Sequence, residues 1–475
     1  MIKFFLIFFL SYFFNNLTQH IIVIGSGLAG LSSAIASYDS DKNVKITILE
    51  KDEKVGGNSV LATSGMNALN TPAQNKKNIL DTVNLFKKDV LDSGKTNDKK
   101  LVSVLAEHAH SAWDFLKAHG VELDIVMQGG GHGCARTHNK SSNEKLMPVG
   151  AQMVQALKKN IDKISNINLI LNARVTDIDR NENGFSVIYT KNEKNEKINC
   201  DAVILATGGY GYDFDNLIKK YRPDLVSLGS TNRIIASGDG IGLGEKLGAQ
   251  LINMDKIQLH PTGIIKTSAP EEKHKFLAPE ALRAYGAILI NSKGKRFVNE
   301  LAQREVIVKA IKKQNDFYKT TKQNFAYLIF DEAIADKFGI DKVNFYVSKG
   351  YAKEFKNLSS LEREFGFKNQ VAEHTVAQYN AQVLKYKFKK SIFPAELHIK
   401  QKWYIFIVTP AIHYTMGGLK INEHGQVIGK YGPIRGLYAA GEVTSGLHGN
   451  DRLVGNSLLE SIVFGRISGE HATKN

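Results

Sequence analysis

The sequence predicts an α/β protein whose main domain is interrupted by a second domain of α+β character. Three observations lead to this prediction. An apolar run at residues 21–24 leads directly into the glycine-rich segment 25–30. A second glycine-rich region fills residues 413–460, near the other end of the chain. Residues from about 255 to 412 are less glycine-rich and more mixed in character, as expected for an insertion between the two halves of one domain.

The first elements form a βαβ unit. Residues 21–24 are apolar and end at a glycine, and residues 44–49 form a second run of the same kind. Between these two strands, apolar side chains recur at helical spacing, at Leu28, Leu31, Ile35 and Tyr38. A strand, a helix and a second strand in this order predict a parallel sheet of the Rossmann type.

Further elements extend this pattern. One apolar stripe predicts a single amphipathic helix over residues 101–119, and its members are Val102, Leu105, Ala109, Trp113 and Leu116. Period-two patterning and β-branched residues from 167 to 209 predict a small sheet whose hairpin turn is the charged segment 191–197. We divide the chain into a targeting segment, a first part of the main domain, a capping domain and a second part of the main domain, at residues 1–19, 20–254, 255–412 and 413–475.

The first nineteen residues have the pattern of a targeting segment. A short basic start, Met1-Ile-Lys3, precedes an apolar run through Phe14, as in a secretory signal. The run is too short to span a bilayer comfortably, and it contains no small-x-small cleavage site. We expect entry into the secretory pathway and the endoplasmic reticulum, with mitochondrial or cytosolic locations as alternatives. No membrane span is expected after residue 20.

Composition argues against several classes of protein. The chain is 43% hydrophobic and 23% charged, which is typical of a folded domain. Its net charge of +15 comes without zinc-finger spacing or a long basic run with aromatics, so no nucleic-acid partner is expected. Steering of an anionic substrate or attraction to an acidic membrane face are the functional alternatives to a merely lysine-rich surface. Cys134 and Cys200 are too few for a disulfide framework or a haem attachment, and we expect no metal.

The segment Gly25-Ser-Gly-Leu-Ala-Gly30 predicts a dinucleotide site. Gly25 permits a tight turn, Gly27 lets backbone approach a pyrophosphate, and Gly30 allows close packing of helix on strand. The pyrophosphate would lie at the helix N-terminus, where unpaired N–H groups favour negative charge. Glu50 follows at a strand end, where a carboxylate can accept a hydrogen bond from a ribose hydroxyl.

Later glycine-rich segments favour flavin over nicotinamide. Residues 50–65 contain one such segment directly after Glu50, which simple nicotinamide dehydrogenases do not require. With Ala206-Thr-Gly-Gly209 and Gly436-Leu-Tyr-Ala-Ala-Gly-Glu442, it resembles the flavoproteins with two dinucleotide folds. In those proteins the late glycine-rich element approaches the ribityl chain and pyrophosphate of FAD. We therefore expect FAD as the cofactor.

Four further motifs follow in order along the chain. They are His260-Pro-Thr-Gly263, the segment from Glu280-Ala-Leu-Arg283 to Gln303-Arg304, His413-Tyr-Thr-Met-Gly-Gly418, and Arg452-Leu-Val-Gly-Asn-Ser457. Together, in this order and spacing, they resemble the fumarate reductase and succinate dehydrogenase flavoprotein family over residues 20 to 470, most closely its soluble eukaryotic fumarate reductases. The resemblance implies an FAD-binding domain interrupted by a capping domain, with a dicarboxylate held between them.

The resemblance also implies an activity and the residues that perform it. Hydride would pass from flavin N5 to one alkene carbon of fumarate, and a proton from Arg304 would reach the other, with succinate as the product. His260, His413 and Arg452 would hold the carboxylates, since a guanidinium presents a planar fork to such a group. Glu280 and Arg283 would relay the proton, and their i, i+3 spacing places them on one helix face. Gly65 and Gly455 complete the predicted substrate site.

The predicted cofactor residues are spread over the chain. They are Gly25, Ser26, Gly27, Leu28, Ala29, Gly30, Glu50, Lys51, Gly57, Asn58, Ser59, Thr63, Ser64, Gly65, Val175, Ala206, Thr207, Gly208, Asp239, Tyr414, Gly441, Glu442, Arg452, Ser457 and Leu458. Respiratory family members attach FAD covalently through a histidine at the position of Asn58. The resemblance therefore implies noncovalent FAD with a lower potential, which favours fumarate reduction over succinate oxidation. Residues 129–138 also resemble a family segment near the flavin, and we assign them no role.

Departures from the family pattern bear on turnover. Asp451 replaces an asparagine, and our hypothesis is that it pairs with Arg452 and weakens substrate binding. Pro279 replaces a hydroxyl residue that binds substrate in respiratory members, so one hydrogen bond is expected to be missing. The haem domains and flavin-reductase extensions of larger relatives are absent from this sequence, so we expect an external electron donor, either reduced flavin or a flavin reductase.

Other functions fit the same scaffold. Within the enzyme class they are 3-oxosteroid dehydrogenation, urocanate reduction and aspartate oxidation. Outside it, the chain would be a flavin-binding redox partner or electron acceptor whose turnover is weak because of Asp451. The paired histidines and Arg452 favour a small dicarboxylate.

Overall fold

The computed structural model describes residues 18–140, 147–319 and 321–474. Residues 1–17 of the predicted targeting segment lie outside this part of the chain. Among the residues described, no helix is both long enough and apolar enough to cross a bilayer.

A six-stranded sheet forms the centre of the main domain. Its spatial order is Gln426–Gly429, Gly432–Ala439, Ala202–Leu205, His20–Ile24, Lys45–Leu49 and Ile167–Ile170. All neighbouring strands are parallel except the edge strand Gln426–Gly429, which is antiparallel. The strand Ala202–Leu205 is fully buried, as the continuous apolar runs predict for a parallel sheet covered on both faces. The predicted βαβ unit and the α/β fold class are confirmed.

Two long helices bring their N-terminal ends toward the same side of this sheet. The helix Leu28–Ser40 follows the first strand, and the helix Asn456–Ala472 is the last element of the chain. A Cβ atom on Gly465 would lie 2.7 Å from the Ala29 carbonyl oxygen, and one on Gly469 would lie 2.3 Å from that of Ser33. The glycines therefore allow close packing, and their order shows that the two helices run in the same direction.

A second six-stranded sheet is built around one long strand, Trp403–Thr415. The remaining strands of this sheet are Gly229–Ser230, Ala326–Asp331, Ile288–Ile290, Ile257–Ile264 and Lys353–Phe355. The predicted boundary at residue 412 falls inside the long strand, whereas the boundary at 254 precedes the strand Ile257–Ile264. One apolar cluster contains residues before 258 and after 411, and a separate cluster contains residues between 264 and 408.

Three smaller sheets complete the strands. They are Leu251–Ile252 with Gly418–Lys420 and Thr444–Ser445; Met66–Asn67 with Thr137–Asn139 and Ile125–Met127; and Arg174–Asn181 with Gly184–Lys191 and Lys194–Cys200. The last contains the predicted hairpin, but the turn is only Asn192-Glu193. Both residues have positive φ angles, 48° and 61°, so two residues reverse the chain and Lys194 to Lys197 belong to a strand.

The single helix predicted over 101–119 is wrong, because the segment contains two helices, Lys99–Glu107 and Ala109–Ala118. His108 interrupts them with φ −92° and ψ 2°, and its carbonyl oxygen accepts a hydrogen bond from the Ser111 hydroxyl. The predicted apolar stripe is nevertheless buried along its whole length.

The other helices lie around the sheets. They are Pro72–Asn75, Val83–Gly94, Val149–Ile161, Leu217–Tyr221, Asp239–Lys246, Glu280–Tyr285, Arg304–Gln314, Glu332–Phe338, Ile340–Ser348, Leu358–Phe365, Val371–Asn380 and Lys385–Phe388, with 3-10 turns at Gly57–Leu61 and Pro223–Leu225.

Candidate active site

A long cavity runs along the carboxyl ends of the parallel strands, where α/β proteins bind ligands. Its empty volume is about 1620 Å³, which includes solvent space at its mouth. Every predicted cofactor residue lines this cavity except Ser26 and Gly30. Gly65, His413, Arg304, Arg452 and Gly455 line it as well. Segments that are far apart in the sequence therefore meet around one space.

Ser26 and Gly30 do not line the cavity but stabilise the residues that do. The Ser26 backbone N–H and hydroxyl donate to Glu50 Oε2 at 2.8 and 2.6 Å, and these bonds fix the loop to the second strand. A Cβ atom on Gly30 would lie 2.0 Å from the Gly25 carbonyl oxygen. Gly30 thus allows the helix to pack against the loop.

The wall itself leaves room for a dinucleotide. A Cβ atom on Gly27 would have no non-neighbouring protein atom closer than 3.7 Å, and one on Gly208 would have none within 4 Å. Gly27 and Gly455 are the N-cap residues of the two long helices, and neither has a side chain to cover the first amide groups. Two helix N-termini that are capped by glycine, where a ligand can approach the backbone closely, suit an anionic group such as a pyrophosphate. The residues present therefore fit FAD.

Polar residues that line the cavity are held in place by one another. Lys51 and Asp239 form an ion pair of 3.0 Å. The Asn58 amide donates to Asn232 Oδ1 at 2.6 Å, and its own oxygen accepts from the Arg233 N–H at 2.9 Å. Asn58 therefore has a fixed orientation.

His413 also lines the cavity, and Thr231 determines where its proton lies. The Thr231 hydroxyl is 2.7 Å from His413 Nδ1, whereas its distance to the Ile412 carbonyl oxygen is 3.3 Å. Because Nδ1 is much the nearer partner and the carbonyl oxygen already accepts the Thr231 N–H at 2.8 Å, we assign the hydroxyl as a donor to Nδ1. Burial, with help from Arg304, keeps the pKa of His413 well below its usual value. The ring is therefore neutral, with its proton on Nε2.

His260 lies behind His413, and its ring centroid is 4.9 Å from that of His413. The backbone N–H of Thr262 donates to His260 Nδ1 at 3.2 Å. Burial and the Arg304 charge lower the pKa of His260 to about 3, so the neutral ring carries its proton on Nε2. That nitrogen is 3.6 Å from Glu280 Oε2 and has no hydrogen-bond partner among the described residues. His260 does not line the cavity wall itself.

Glu280 connects Arg304 to Arg283. Arg304 Nε and Nη2 donate to Glu280 Oε2 at 3.0 and 2.8 Å, and Arg283 Nη2 is 3.6 Å from the same oxygen. Burial raises the pKa of Glu280, but the two guanidinium groups outweigh it and hold the pKa well below its usual value. Glu280 and Arg283 also line a small adjoining pocket beside Gly129 and Gly130. The predicted relay residues Arg304, Glu280 and Arg283 therefore lie next to one another in space.

Arg452 lies over the ring of Tyr414, with its guanidinium carbon 4.4 Å from the ring centroid. Its Nη1 donates to the Leu453 carbonyl oxygen at 3.2 Å, whereas Nε is buried and has no partner among the described residues. Tyr414 in turn donates to Glu460, whose other oxygen is 2.5 Å from His448 Nε2.

Asp451 does not make the expected ion pair. No hydrogen-bonded pair joins its carboxylate to the Arg452 guanidinium in the part of the chain described. Its Oδ1 accepts instead from Gln258 Nε2 and, at 3.1 Å, from the Arg452 backbone N–H. The expected pairing of the Asp451 carboxylate with the Arg452 side chain is therefore wrong. Pro279 is the N-cap of the helix Glu280–Tyr285 and offers no side-chain donor.

The segment 129–138 packs against Val454, which lines the cavity next to Arg452. A Cβ atom on Gly129 would lie 2.0 Å from Val454 Cγ1. His132 Nε2 donates to the Val454 carbonyl oxygen at 3.0 Å, and its Nδ1 accepts from Arg136 at 3.2 Å. Arg136 is completely buried between Asp81 and Asp89. Among the described residues no group of three or more His, Cys, Asp and Glu side chains could hold a metal.

Several residues of the site were not predicted from the sequence. Thr231, Asn232, Glu460 and Ser461 line the cavity. Ser461 lies four residues after Ser457 on the same helix, a spacing that points to it. Gln258 precedes His260 by two residues in one strand, and this alternation is the signal that could have identified it. Nothing in the local pattern points to Thr231 and Asn232.

Comparisons with known proteins agree with this geometry. The chain matches the family described as FAD binding domain over residues 20–458. It is 36% identical to fumarate reductase 1 of Saccharomyces cerevisiae over 476 residues, which are 95% of this chain and 97% of that protein. It is 37% identical to a cytochrome-type fumarate reductase of Shewanella frigidimarina, over 96% of this chain and 77% of that one.

A solved structure, the open conformation of a flavocytochrome c3 fumarate reductase, is also similar. The TM-score is 0.75 with 32% sequence identity, over 97% of this chain and 78% of that one. The chain is therefore a member of the FAD binding domain family, and FAD is its cofactor.

Proposed function

We propose that this chain is an FAD-dependent fumarate reductase that converts fumarate to succinate. One observation carries the proposal. His413, Arg304 and Arg452 line one cavity with His260 directly behind His413, and two buried donor atoms of this set, His260 Nε2 and Arg452 Nε, have no hydrogen-bond partner among the described residues. Buried donors without partners are costly, so such a set is suited to an anion that completes the hydrogen bonds.

The binding roles follow from the protonation states. His413 presents Nε2–H to the cavity, and His260 supplies a second Nε2–H behind it. Arg452 faces the same space with a fork that its cation–π contact with Tyr414 holds in position. A small dicarboxylate offers acceptors to these donors, whereas a neutral steroid would leave the Arg452 guanidinium without a carboxylate partner. The similarity to named fumarate reductases supports the same substrate.

The proton would come from Arg304, which is the first residue of its helix and lines the cavity. When bound and reduced, FAD supplies the hydride. Arg304 delivers the proton to the other alkene carbon, and Glu280 and Arg283 replace it from the adjoining pocket. The two hydrogen bonds to Glu280 fix the direction of the Arg304 fork, so the donor is positioned before the substrate arrives. Proton transfer by a positioned group typically contributes about 10²–10⁴-fold to a rate.

We further propose that FAD is noncovalent, since Asn58 cannot form the linkage of a histidine. The electron donor is external and is either a reduced flavin or a flavin reductase. We retain the division into FAD-binding parts at 20–254 and 413–475 and a capping domain at 255–412. The two separate apolar clusters support this division.

The N-terminal pattern supports targeting to the secretory pathway. Fractionation of cells that express the chain with a C-terminal tag tests this assignment. Recovery of the tagged chain only with mitochondria or cytosol would contradict it.

The decisive test of function is anaerobic stopped-flow spectroscopy of the purified, chemically reduced protein. Fumarate should reoxidise the flavin far faster than buffer alone, and succinate should accumulate in equal amount to the flavin oxidised. Urocanate and a 3-oxosteroid serve as comparison substrates. Flavin that reoxidises no faster with fumarate than with buffer would overturn the assignment.

A further inference from the structure

Arg304 has a partner besides Glu280. Its Nη1 donates to Gln258 Oε1 at 2.7 Å, while Nε and Nη2 donate to Glu280. All three side chains are buried. The guanidinium is therefore held from two sides, and Gln258 controls the side that Glu280 does not reach.

Asp451 and the Arg452 carbonyl oxygen together determine the orientation of Gln258. Gln258 Nε2 donates to Asp451 Oδ1 and, at 2.8 Å, to the Arg452 carbonyl oxygen. Both partners accept, so a flipped amide would place its oxygen against two acceptors and its NH₂ against the Arg304 donor. Only one orientation of the amide satisfies every contact. The network leaves the carboxamide oxygen facing Arg304.

We propose that Asp451 is a positioning residue for proton transfer. It orients Gln258, and Gln258 and Glu280 together hold the Arg304 guanidinium in place. This proposal rests on the proposed fumarate reduction, in which Arg304 is the proton donor. It assigns Asp451 a supporting role in place of the damaging one that its charge suggested.

Residue chemistry at position 451 makes the proposal specific. An asparagine can also accept from Gln258 and from the Arg452 N–H through its Oδ1. An alanine removes the side-chain acceptor and leaves Gln258 Nε2 with the Arg452 carbonyl oxygen alone, so the amide is held less firmly. Asp451→Asn should therefore preserve proton transfer, whereas Asp451→Ala should impair it.

The test uses the holoenzyme with four variants: Asp451→Ala, Asp451→Asn, Gln258→Leu and the double variant Asp451→Ala with Gln258→Leu. Asp92→Ala, an exposed aspartate in an ion pair with Lys88, is the matched control. We expect Asp451→Ala and Gln258→Leu each to slow fumarate-dependent flavin reoxidation by roughly tenfold or more, with KM changed by less than about threefold. The double variant should be no slower than the slower single one, because the two residues act in one chain.

A solvent deuterium isotope effect separates positioning from general damage. It should increase in Asp451→Ala and Gln258→Leu, because proton transfer then limits the rate, and it should stay at the parental value in Asp451→Asn. Losses that add in the double variant, or a change confined to KM, would overturn the proposal. So would an Asp451→Asn variant about tenfold faster than the parent, which is the result expected if Asp451 impairs turnover.

A readout that needs no turnover keeps this inference separate from the proposed function. In protein labelled with ¹⁵N-arginine, the Arg304 guanidinium resonances, assigned by Arg304→Lys, should shift in Asp451→Ala and remain in place in Asp451→Asn. If the parent ignores fumarate, the proposed function fails while this measurement still decides whether Asp451 positions Arg304. Unshifted resonances in Asp451→Ala would overturn the positioning role.

Discussion

Arg304 donates two hydrogen bonds, from Nε and from Nη2, to the same oxygen of Glu280, at 3.0 and 2.8 Å. Each residue is the first of its own helix, so two separate elements bring the pair together. Both donors use Oε2, and Oε1 has no hydrogen-bond partner among the described residues. The pair is buried, so removal of either charge would leave the other charge unpaired in the low-dielectric interior.

Replacement of Glu280 by Gln tests the proton relay. The amide keeps an acceptor for Arg304 but removes the negative charge, so we expect the rate of fumarate reduction to fall about 100-fold or more. The affinity for succinate, measured from its effect on the flavin spectrum, should change much less. The melting temperature and FAD content of the variant are the controls for folding. A rate within threefold of the parent would rule out a role for Glu280 in proton supply.

Gly27 and Gly30 form a matched pair that separates ligand approach from packing. Alanine at Gly30 overlaps the Gly25 carbonyl oxygen, and overpacking of this kind typically costs about 1–3 kcal/mol of stability. Alanine at Gly27 meets no close protein atom, and its φ of −65° suits any residue, so the apoprotein should remain stable. FAD affinity should nevertheless fall in Gly27→Ala, because its methyl group projects toward the cavity. Urea denaturation of the apoprotein and FAD titration measure the two effects.

Thr231→Val tests the assigned tautomer of His413. Without the hydroxyl donor to Nδ1, the ring proton is no longer confined to Nε2, and the substrate loses a prepared hydrogen bond. A hydrogen bond of this kind contributes about 1 kcal/mol, so we expect KM for fumarate to rise roughly five- to tenfold. Thr190→Val, at a partly exposed strand position away from the cavity, is the control. An unchanged KM in Thr231→Val would contradict the assignment.

Noncovalent attachment of FAD is tested by denaturation. The two hydrogen bonds of Asn58 hold an amide that has no nucleophilic ring nitrogen, so acid precipitation should release all the flavin into the supernatant. Absorbance of the supernatant at the flavin maximum and the fluorescence of a denaturing gel measure the released and retained fractions. A fluorescent protein band would show a covalent bond.

Stability should fall as the solution becomes more acidic, partly because of His132. Burial and the Arg136 charge lower the pKa of His132 to about 4, whereas the unfolded chain has a histidine pKa near 6.5. The unfolded state therefore binds more protons, and the stabilisation present above pH 6.5 is lost as the pH falls toward 4. Between pH 7 and pH 5 the loss from this residue is about 2 kcal/mol.

His132→Gln keeps a donor for Val454 and removes the titration. Urea denaturation gives the free energy of unfolding of parent and variant at pH 7 and at pH 5. Between these pH values the variant should lose about 2 kcal/mol less of this free energy than the parent. His138 and His260 also have lowered pKa values, so a pH effect should persist in the variant. An identical pH dependence in both proteins would contradict this prediction.

The sequence by itself determined the parallel sheet, the dinucleotide loop and the family. Apolar runs indicate strands that are buried on both faces of a sheet. Glycine spacing indicates where the backbone must pass close to another group. Both signals are local, which is why the elements His20–Ile24 and Leu28–Ser40 agree with the prediction. The ordered motifs likewise placed Arg304, His413 and Arg452 in one site.

Only the tertiary structure decided how those residues are held. Gln258 and Asp451 are 193 positions apart, and their hydrogen bond exists because two remote segments meet beside Arg304. The charge of Asp451 suggested a pair with the adjacent Arg452 side chain, but the backbone directs the carboxylate toward Gln258. The proton positions on His260 and His413 depend in the same way on Thr262 and Thr231. Local pattern predicts which side chains are buried, whereas the partner of a buried polar atom depends on the packing of the whole chain.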